Sequence, residues 1–174
     1  METFTKARVF VGSSQFQEQR REVLLELDFS SIDAPIIDVV KGFSKLQHCF
    51  TLQSCFGHFL FPGNKDPQNT KTIPQAKPIG SIEYRIAYLA FCLENSTHGK
   101  QFSRHLMELE SIDRQYIQYG SADWFWERYP NSYVLQVEPA RFANQDTCQL
   151  DYEEALHVEW IRNLFFDQVR ILLQ

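Results

Sequence analysis

The sequence predicts a single domain of the α/β or α+β class, in which helices pack on a mixed β-sheet. Its 174 residues are most simply one domain, 1–174, because a chain of this length can bury one sizeable core. Segments with helical spacing and segments with alternating spacing intermix along the chain, which favours helices packed on a sheet. The 15 phenylalanines are enough to fill such a core.

Two amphipathic helices are predicted near the N-terminus. The first begins at Ser14, which has capping-box spacing to Gln17, and its apolar positions are Phe16, Val23, Leu24 and Leu27. The second takes Asp33 as its N-cap and tolerates Pro35 in its first turn. Its apolar stripe is Ile36, Val39, Val40, Phe43 and Leu46.

Strand is predicted over residues 49–55 and 58–61, interrupted at Gly57. Residues 62–78 follow, with four prolines and few apolar side chains, a composition that excludes a helix or a central strand. A segment of this kind is either a mobile surface loop or a lid over a substrate. Its three lysines would give a lid some attraction for an anion.

The rest of the chain alternates between strand and helix. Residues 81–93 predict one strand whose second half is buried on both faces. Residues 99–120 predict a helix that ends at Gly120. Residues 132–139 predict a strand, and residues 151–173 predict a final helix whose N-cap is Asp151.

Composition limits the classes of partner. The net charge is −5, whereas nucleic-acid modules usually cluster Lys and Arg, so tRNA is a disfavoured partner. The chain shows no apolar run of about 18 residues, so no membrane span is expected. Four cysteines without a signal peptide predict reduced thiols and a cytoplasmic location. The abundance of phenylalanine leaves an apolar cleft or a homodimer contact open.

The local motifs of several enzyme classes are absent from the sequence. The glycine-rich fingerprint of dinucleotide-binding domains does not follow any predicted strand, and the phosphate-binding loop of P-loop NTPases is missing. The zinc-protease helix motif, the EF-hand loop and the serine nucleophile elbow are missing as well.

The turn inside residues 50–61 concentrates reactive side chains: Ser54, Cys55 and His58 around Gly57. One interpretation is a ligand pocket lined by this turn. A second is a reactive thiol at Cys55 polarised by His58. A third is a metal site that would use Cys49 as well, but the C-x-x-H pattern lacks the second pair of ligands that structural zinc requires, so no metal is predicted.

The aromatic cluster of Trp124, Phe125 and Trp126 has two interpretations. Core packing is the favoured one. Stacking on a base or another planar group is the alternative.

A longer stretch resembles a known family. Ser31, Asp33 and either Ile36 or Ile37 match a segment of the type S-x-D-x-x-I. Thr51, Ser54, Cys55 and Gly57 match a following T-T-S-S-C-S-G-R signature. Together they resemble the N-terminal part of tRNA wybutosine-synthesising protein 3, over residues 28–59. Two shorter stretches, Glu138-Pro139 and Arg162-Asn163, are similar to later segments of that family.

The resemblance to this family, abbreviated TYW3, implies a TYW3-like α/β domain. It also implies a methyltransferase that uses S-adenosylmethionine on a guanine-derived base of tRNA. It assigns Ser54 and His58 to orient or deprotonate the acceptor, and Thr51, Cys55, Gly57 and Glu138 to the cofactor. The pocket would combine residues 51–58, residues 62–78 and the end of the 82–92 strand. The signature is altered here, with Leu52, Gln53, Phe56 and His58 at four of its positions. Another small planar substrate therefore remains open, as does a non-catalytic ligand-binding or self-associating domain.

Overall fold

The computed structural model describes residues 4–75, 78–143 and 145–174. Within them the chain is one mixed domain of helices and strands, which confirms the predicted class. The strands form two antiparallel sheets, where a single mixed sheet is expected from the sequence, so the α+β form of the prediction is the one adopted.

The element bounds differ from the predicted ones in the middle of the chain, and the strands at Phe4–Lys6 and Thr147–Leu150 are not predicted from the sequence. The strands are β1 Phe4–Lys6, β2 Cys49–Cys55, β3 His58–Leu60, β4 Ile82–Arg85, β5 Ala87–Leu93, β6 Ile117–Ala122, β7 Ser132–Val137 and β8 Thr147–Leu150. The helices are α1 Phe16–Glu26, α2 Ile37–Lys45, α3 Thr97–Glu108, α4 Asp123–Trp126 and α5 Tyr152–Leu172.

The larger sheet has five strands in the order β1-β6-β7-β5-β2. Alternate residues of its interior strand β5, such as Leu89 and Phe91, point to one face and join the main core. On that face they meet apolar side chains of α2, α3 and α5, including Phe43, Leu106 and Phe165. The alternation of strand side chains therefore places the principal core on one side of the sheet.

The smaller sheet has the order β3-β4-β8 and carries a second core. Tyr84 and Leu150 of this sheet pack with Ala155 and Val158 from the first half of α5 and with Ile73. The second half of α5 belongs to the main core, so one helix spans both cores. None of the helices in the described ranges is long and apolar enough to cross a lipid bilayer.

The N-terminal helices form where predicted but start differently. The capping box at Ser14 is not formed, because α1 begins after Gln15, whose side chain makes no capping hydrogen bond. Asp33 precedes a short 3₁₀ turn over residues 34–36 that contains Pro35, and its carboxylate does not cap that turn. That carboxylate instead bonds to the turn after β2.

Two of the predicted boundaries in the middle of the chain are wrong. The run 81–93 is two strands, because Ile86 leaves the ladder and its N–H donates to the carbonyl of Asp146. The predicted helix over 99–120 stops at Glu108, and Gly120 lies in β6 opposite Val134. The helix ending expected at Gly120 is therefore a strand position.

The proline-rich segment is held against the smaller sheet and α5 at several points. The side-chain amide of Asn69 donates to the carbonyl of Phe59. The Ile73 side chain is buried and its N–H donates to Glu159 on α5. The Tyr152 hydroxyl donates to the carbonyl of Pro74. Residues 76 and 77 lie outside the described residues, and the mobility of the segment stays a prediction.

Candidate functional site

The two matched stretches of the family signature meet in space. The Asp33 carboxylate accepts a 2.7 Å hydrogen bond from the backbone N–H of Phe56. The same oxygen, Oδ2, lies 3.2 Å from Nε2 of His58. Cys55 completes the group, since one donor atom from each of the three side chains lies within 4.8 Å of the others. The turn between β2 and β3 is thus closed by a residue 23 positions before Phe56.

The orientation of His58 is fixed from both sides. Its Nδ1 lies 2.8 Å from the carbonyl oxygen of Asn69, and a carbonyl can only accept, so Nδ1 carries a proton. Nε2 therefore faces Asp33, and the residue is only 3% exposed. The proline-rich segment thus supplies the contact that sets the direction of the imidazole.

The pKa values of this pair are shifted by their contacts. Burial alone would lower the pKa of His58, but hydrogen bonds with Asp33, Cys55 and the Asn69 carbonyl outweigh it and raise the pKa to about 10. Burial alone would raise the pKa of Asp33, but bonds from His58 and the Phe56 N–H outweigh it and lower the pKa. Without another ligand the pair is an imidazolium and a carboxylate at neutral pH.

Arg162 of α5 closes the turn from beneath. Its guanidinium donates a 2.9 Å hydrogen bond to the carbonyl of Gly57 and lies over the rings of Phe56 and Phe59, 4.0 and 5.1 Å from their centroids. The side chain is only 2% exposed. Glu159, one helical turn earlier, lies 3.8 Å away and partly balances its charge.

The turn requires glycine at position 57. Its φ of +89° is in the left-handed region, and a Cβ there would lie 2.8 Å from the Ala87 Cβ and 3.0 Å from the Tyr84 hydroxyl. Tyr84 is itself fixed, since its hydroxyl donates to the Val137 carbonyl and accepts from the Ala87 N–H. The Gly57 match to the signature therefore has a physical reason.

A cleft of about 450 Å³ opens at the β2 edge of the larger sheet, and its wall includes Ile32 and Ser54, the chain neighbours of Asp33 and Cys55. Its volume is within the range of small-molecule sites. The wall combines hydroxyl, charged, aromatic and aliphatic side chains. The lining residues are Val23, Glu26, Leu27, Asp28, Ser31, Ile32, Val40, Thr51, Leu52, Gln53, Ser54, Phe125, Arg128 and Tyr129.

The predicted site residues are divided among three places. Thr51 and Ser54 line the cleft. Cys55 and His58 lie in the buried cluster, and Gly57 lies in the turn between them. No described residue of 62–78 lines the cleft, and neither does any described residue of the 82–92 strand region. The cleft wall is completed instead by the end of α1, by the segment between α1 and α2, and by residues 125–129.

Glu138 lies at the end of β7 and does not line the cleft. It is fully buried, and neither carboxylate oxygen has a hydrogen-bond partner among the described residues. Burial raises its pKa to about 8, with a smaller contribution from the negative charge of Asp146. Its backbone N–H donates to the Tyr116 carbonyl. Glu138 is therefore a buried carboxyl in the sheet, apart from the cleft wall.

The two cysteines considered as metal ligands, Cys49 and Cys55, lie in different places. Cys49 is buried in the main core, its Sγ donates to the Phe43 carbonyl, and burial raises its pKa. Of the residues considered as metal ligands from the sequence, the structure brings together Cys55 and His58, and it adds Asp33.

Three residues with roles at the site are not identified as such by sequence reasoning: Asp33, Arg128 and Arg162. The pattern around Asp33 indicates a helix cap, because an aspartate before a proline-containing turn is typical of one. Its place in the S-x-D-x-x-I match is the signal that could have found it. The aromatic cluster packs as the favoured expectation predicts, with Trp126 against the main core and Trp124 and Phe125 against smaller apolar clusters. Phe125 also lines the cleft, and stacking on a planar group stays a prediction.

Comparison with known proteins gives the fold but no family. No protein-family model and no curated protein matches the chain. Two solved structures of the PH1069 protein from Pyrococcus horikoshii are similar in structure. One covers 91% of this chain and 92% of its own, at 15% identity and a TM-score of 0.48. The other, from strain OT3, covers 92% of each chain, at 11% identity and a TM-score of 0.50. The second likeness shows a shared fold and no more.

Proposed function

We propose that the protein is a TYW3-like methyltransferase that binds S-adenosylmethionine and a small planar acceptor in the cleft beside Ser54. The observation that carries the proposal is the junction of the two signature stretches. Asp33 from the first stretch bonds to Phe56 and His58 in the second, next to a cleft lined by Thr51 and Ser54. These hydrogen bonds fix the conformation of the turn that carries the signature side chains.

The chemistry of the cleft wall supports this ligand. S-adenosylmethionine carries a carboxylate, an ammonium, a ribose diol and a flat adenine. Arg128 offers a guanidinium for the carboxylate, and Glu26 offers acceptors for the ammonium or the ribose. Phe125 offers an aromatic face for the adenine or for the acceptor base. The wall lacks a cluster of basic side chains, so a small nucleobase-like substrate is preferred over direct binding of the tRNA backbone.

The catalytic contribution of the chain is alignment. Methyl transfer needs the acceptor atom held in line with the sulfonium methyl group and shielded from water. Ser54 is half-buried at the cleft wall, where its hydroxyl can bind the acceptor. His58 is too enclosed to act as a free base, so we assign it to positioning the turn that carries Ser54.

Calorimetric titration tests the binding step. S-adenosylmethionine and S-adenosylhomocysteine should bind the wild-type protein at micromolar concentration. Arg128→Ala should weaken binding about 10-fold, since a lost charged contact is worth about 1.4 kcal/mol. Arg104→Ala is the matched control, because Arg104 is an exposed arginine on the wall of a different cleft. Absence of heat with both ligands, or equal losses in both variants, would contradict the proposal.

A non-catalytic ligand-binding domain is the second candidate. It is favoured by the burial of Cys55 and His58, which are 6% and 3% exposed and hold each other and Asp33. On this hypothesis the cleft binds a ligand, but Ser54→Ala changes neither the affinity for that ligand nor the fold and association state of the protein. On the methyltransferase hypothesis, the same substitution lowers transfer of a labelled methyl group to guanine-derived nucleosides.

A further inference from the structure

We propose that Asp33, Cys55 and His58 form a zinc-binding site with three protein ligands and an open fourth position. This inference is independent of the methyltransferase proposal and departs from the sequence expectation of no metal. The three side chains supply one oxygen, one sulfur and one nitrogen within 4.8 Å of one another. This donor set suits zinc, which binds carboxylate, thiolate and imidazole in the same site.

The distances already approach those of a zinc site. Zinc bonds of about 2.0 to 2.3 Å in a tetrahedron place neighbouring ligand atoms about 3.3 to 3.7 Å apart. Nε2 of His58 and Oδ2 of Asp33 are separated by 3.2 Å. The remaining adjustment of the Cys55 sulfur is about 1 Å or less, which side-chain rotation can supply.

The groups around the ligands are placed as in an established metal site. A zinc-bound histidine usually donates its second ring N–H to a carbonyl or a carboxylate, which fixes the tautomer and directs the other nitrogen at the metal. His58 has this arrangement, with Nδ1 bonded to the Asn69 carbonyl and Nε2 directed at Asp33. The Phe56 N–H orients the Asp33 carboxylate, and the Gly57 N–H donates to the Cys55 sulfur at 3.4 Å.

Charge and access are also compatible with a cation. A carboxylate and a thiolate together neutralise Zn²⁺. Cys55 and His58 are enclosed, whereas the Asp33 side chain is 20% exposed, so a water can reach the fourth position from that side. Three protein ligands and one water are the pattern of catalytic zinc sites.

Metal binding to the full-length, chelator-treated protein tests the site. Calorimetry with zinc chloride should show one equivalent bound, and Co²⁺ should give an absorption band from a thiolate bond. Cys55→Ala should weaken zinc binding by more than about 100-fold, because loss of a ligand exceeds the roughly 10- to 100-fold effect of losing a group that only orients one. Cys148→Ala, at an equally buried free cysteine, should leave affinity unchanged.

The wild-type protein decides the question if Cys55→Ala fails to fold. X-ray absorption of its zinc form should count one sulfur, one imidazole nitrogen and oxygen ligands. No zinc binding to the folded wild type, a coordination sphere without sulfur, or undiminished binding in Cys55→Ala would overturn the inference. If the wild-type protein binds S-adenosylmethionine but not zinc, only the metal site is overturned. If it binds zinc but not S-adenosylmethionine, only the methyltransferase proposal is overturned.

Discussion

Gly57 shows at the scale of one residue how the signature turn depends on the absence of a side chain. Gly57→Ala should destabilise the protein by about 2–4 kcal/mol, from left-handed backbone strain and from overpacking against Ala87 and Tyr84. The free energy of unfolding in urea measures the loss. Gly63→Ala is the matched control, because Gly63 also has a positive φ, +94°, but a Cβ added there would have nothing within 4 Å. It should lose only the strain, about 1–2 kcal/mol; an equal loss in both variants would show that packing around Gly57 is not tight.

Glu138 makes the stability of the protein depend on pH. Its pKa is raised from 4.5 to about 8 in the folded state, so between these values the folded protein holds a proton that the unfolded chain has lost. The unfolded state then binds fewer protons, and stability falls as pH rises through this window. Well above pH 8 Glu138 is ionised in both states, and its contribution to the free energy of unfolding no longer changes with pH.

Glu138→Gln should remove this pH dependence. Since one pKa unit is worth about 1.4 kcal/mol, the variant should gain about 2 kcal/mol over wild type between pH 6 and pH 8. Chemical denaturation at pH 5, 6, 7 and 8 measures the difference. Glu153→Gln, at an exposed position of α5, should follow the wild-type profile. A constant difference between Glu138→Gln and wild type across this range would contradict the buried, protonated carboxyl.

At the scale of elements, sequence patterns predict the helix caps and apolar stripes that depend only on residues a few positions apart. Asp151 caps α5 through the Glu154 N–H as its sequence indicates, and the α2 stripe is buried at Val39, Val40 and Phe43. These features depend on residues a few positions apart, so one helical period is enough to find them.

Elements whose limits are set by distant contacts are poorly predicted by the same patterns. The run 81–93 reads as one strand, but its first part pairs with β8 and its second part with β7. The break at Ile86 follows from the Asp146 carbonyl, 60 positions later in the chain. Likewise, Gly120 lies in a strand because β6 pairs with β7, and no local signal distinguishes that from a helix ending.

The candidate site also has features that local patterns predict and features that depend on distant contacts. The turn with Ser54, Cys55 and His58 is evident from its composition and from the family resemblance. The partner that closes it, Asp33, has the sequence pattern of a helix cap, yet its carboxylate makes no capping bond and instead accepts from Phe56, 23 positions away. Only the three-dimensional structure separates Ser54, which lines the cleft, from His58, which lies in the enclosed cluster.

At the scale of the whole molecule, α5 and the β2–β3 turn connect the two sheets. The chain leaves the larger sheet at Cys55 and enters the smaller one at His58. Beneath this crossing, α5 passes from the second core at Val158 to the main core at Phe165. Arg162 lies between these positions and bonds to the Gly57 carbonyl, so it joins the helix to the crossing point.

Arg162→Met should therefore cost about 2–4 kcal/mol of unfolding free energy, because it leaves the Gly57 carbonyl and the buried Glu159 without their cationic partner. Arg170→Met is the control on the same helix: Arg170 is partly exposed and pairs with Asp38 and Asp167, so its loss should cost about 1 kcal/mol or less. Adding Glu159→Gln to Arg162→Met should recover part of the stability, since the unpaired carboxylate is then removed. Equal losses at both arginines, or no recovery in the double variant, would show that the two cores are held together by apolar packing of α5 alone.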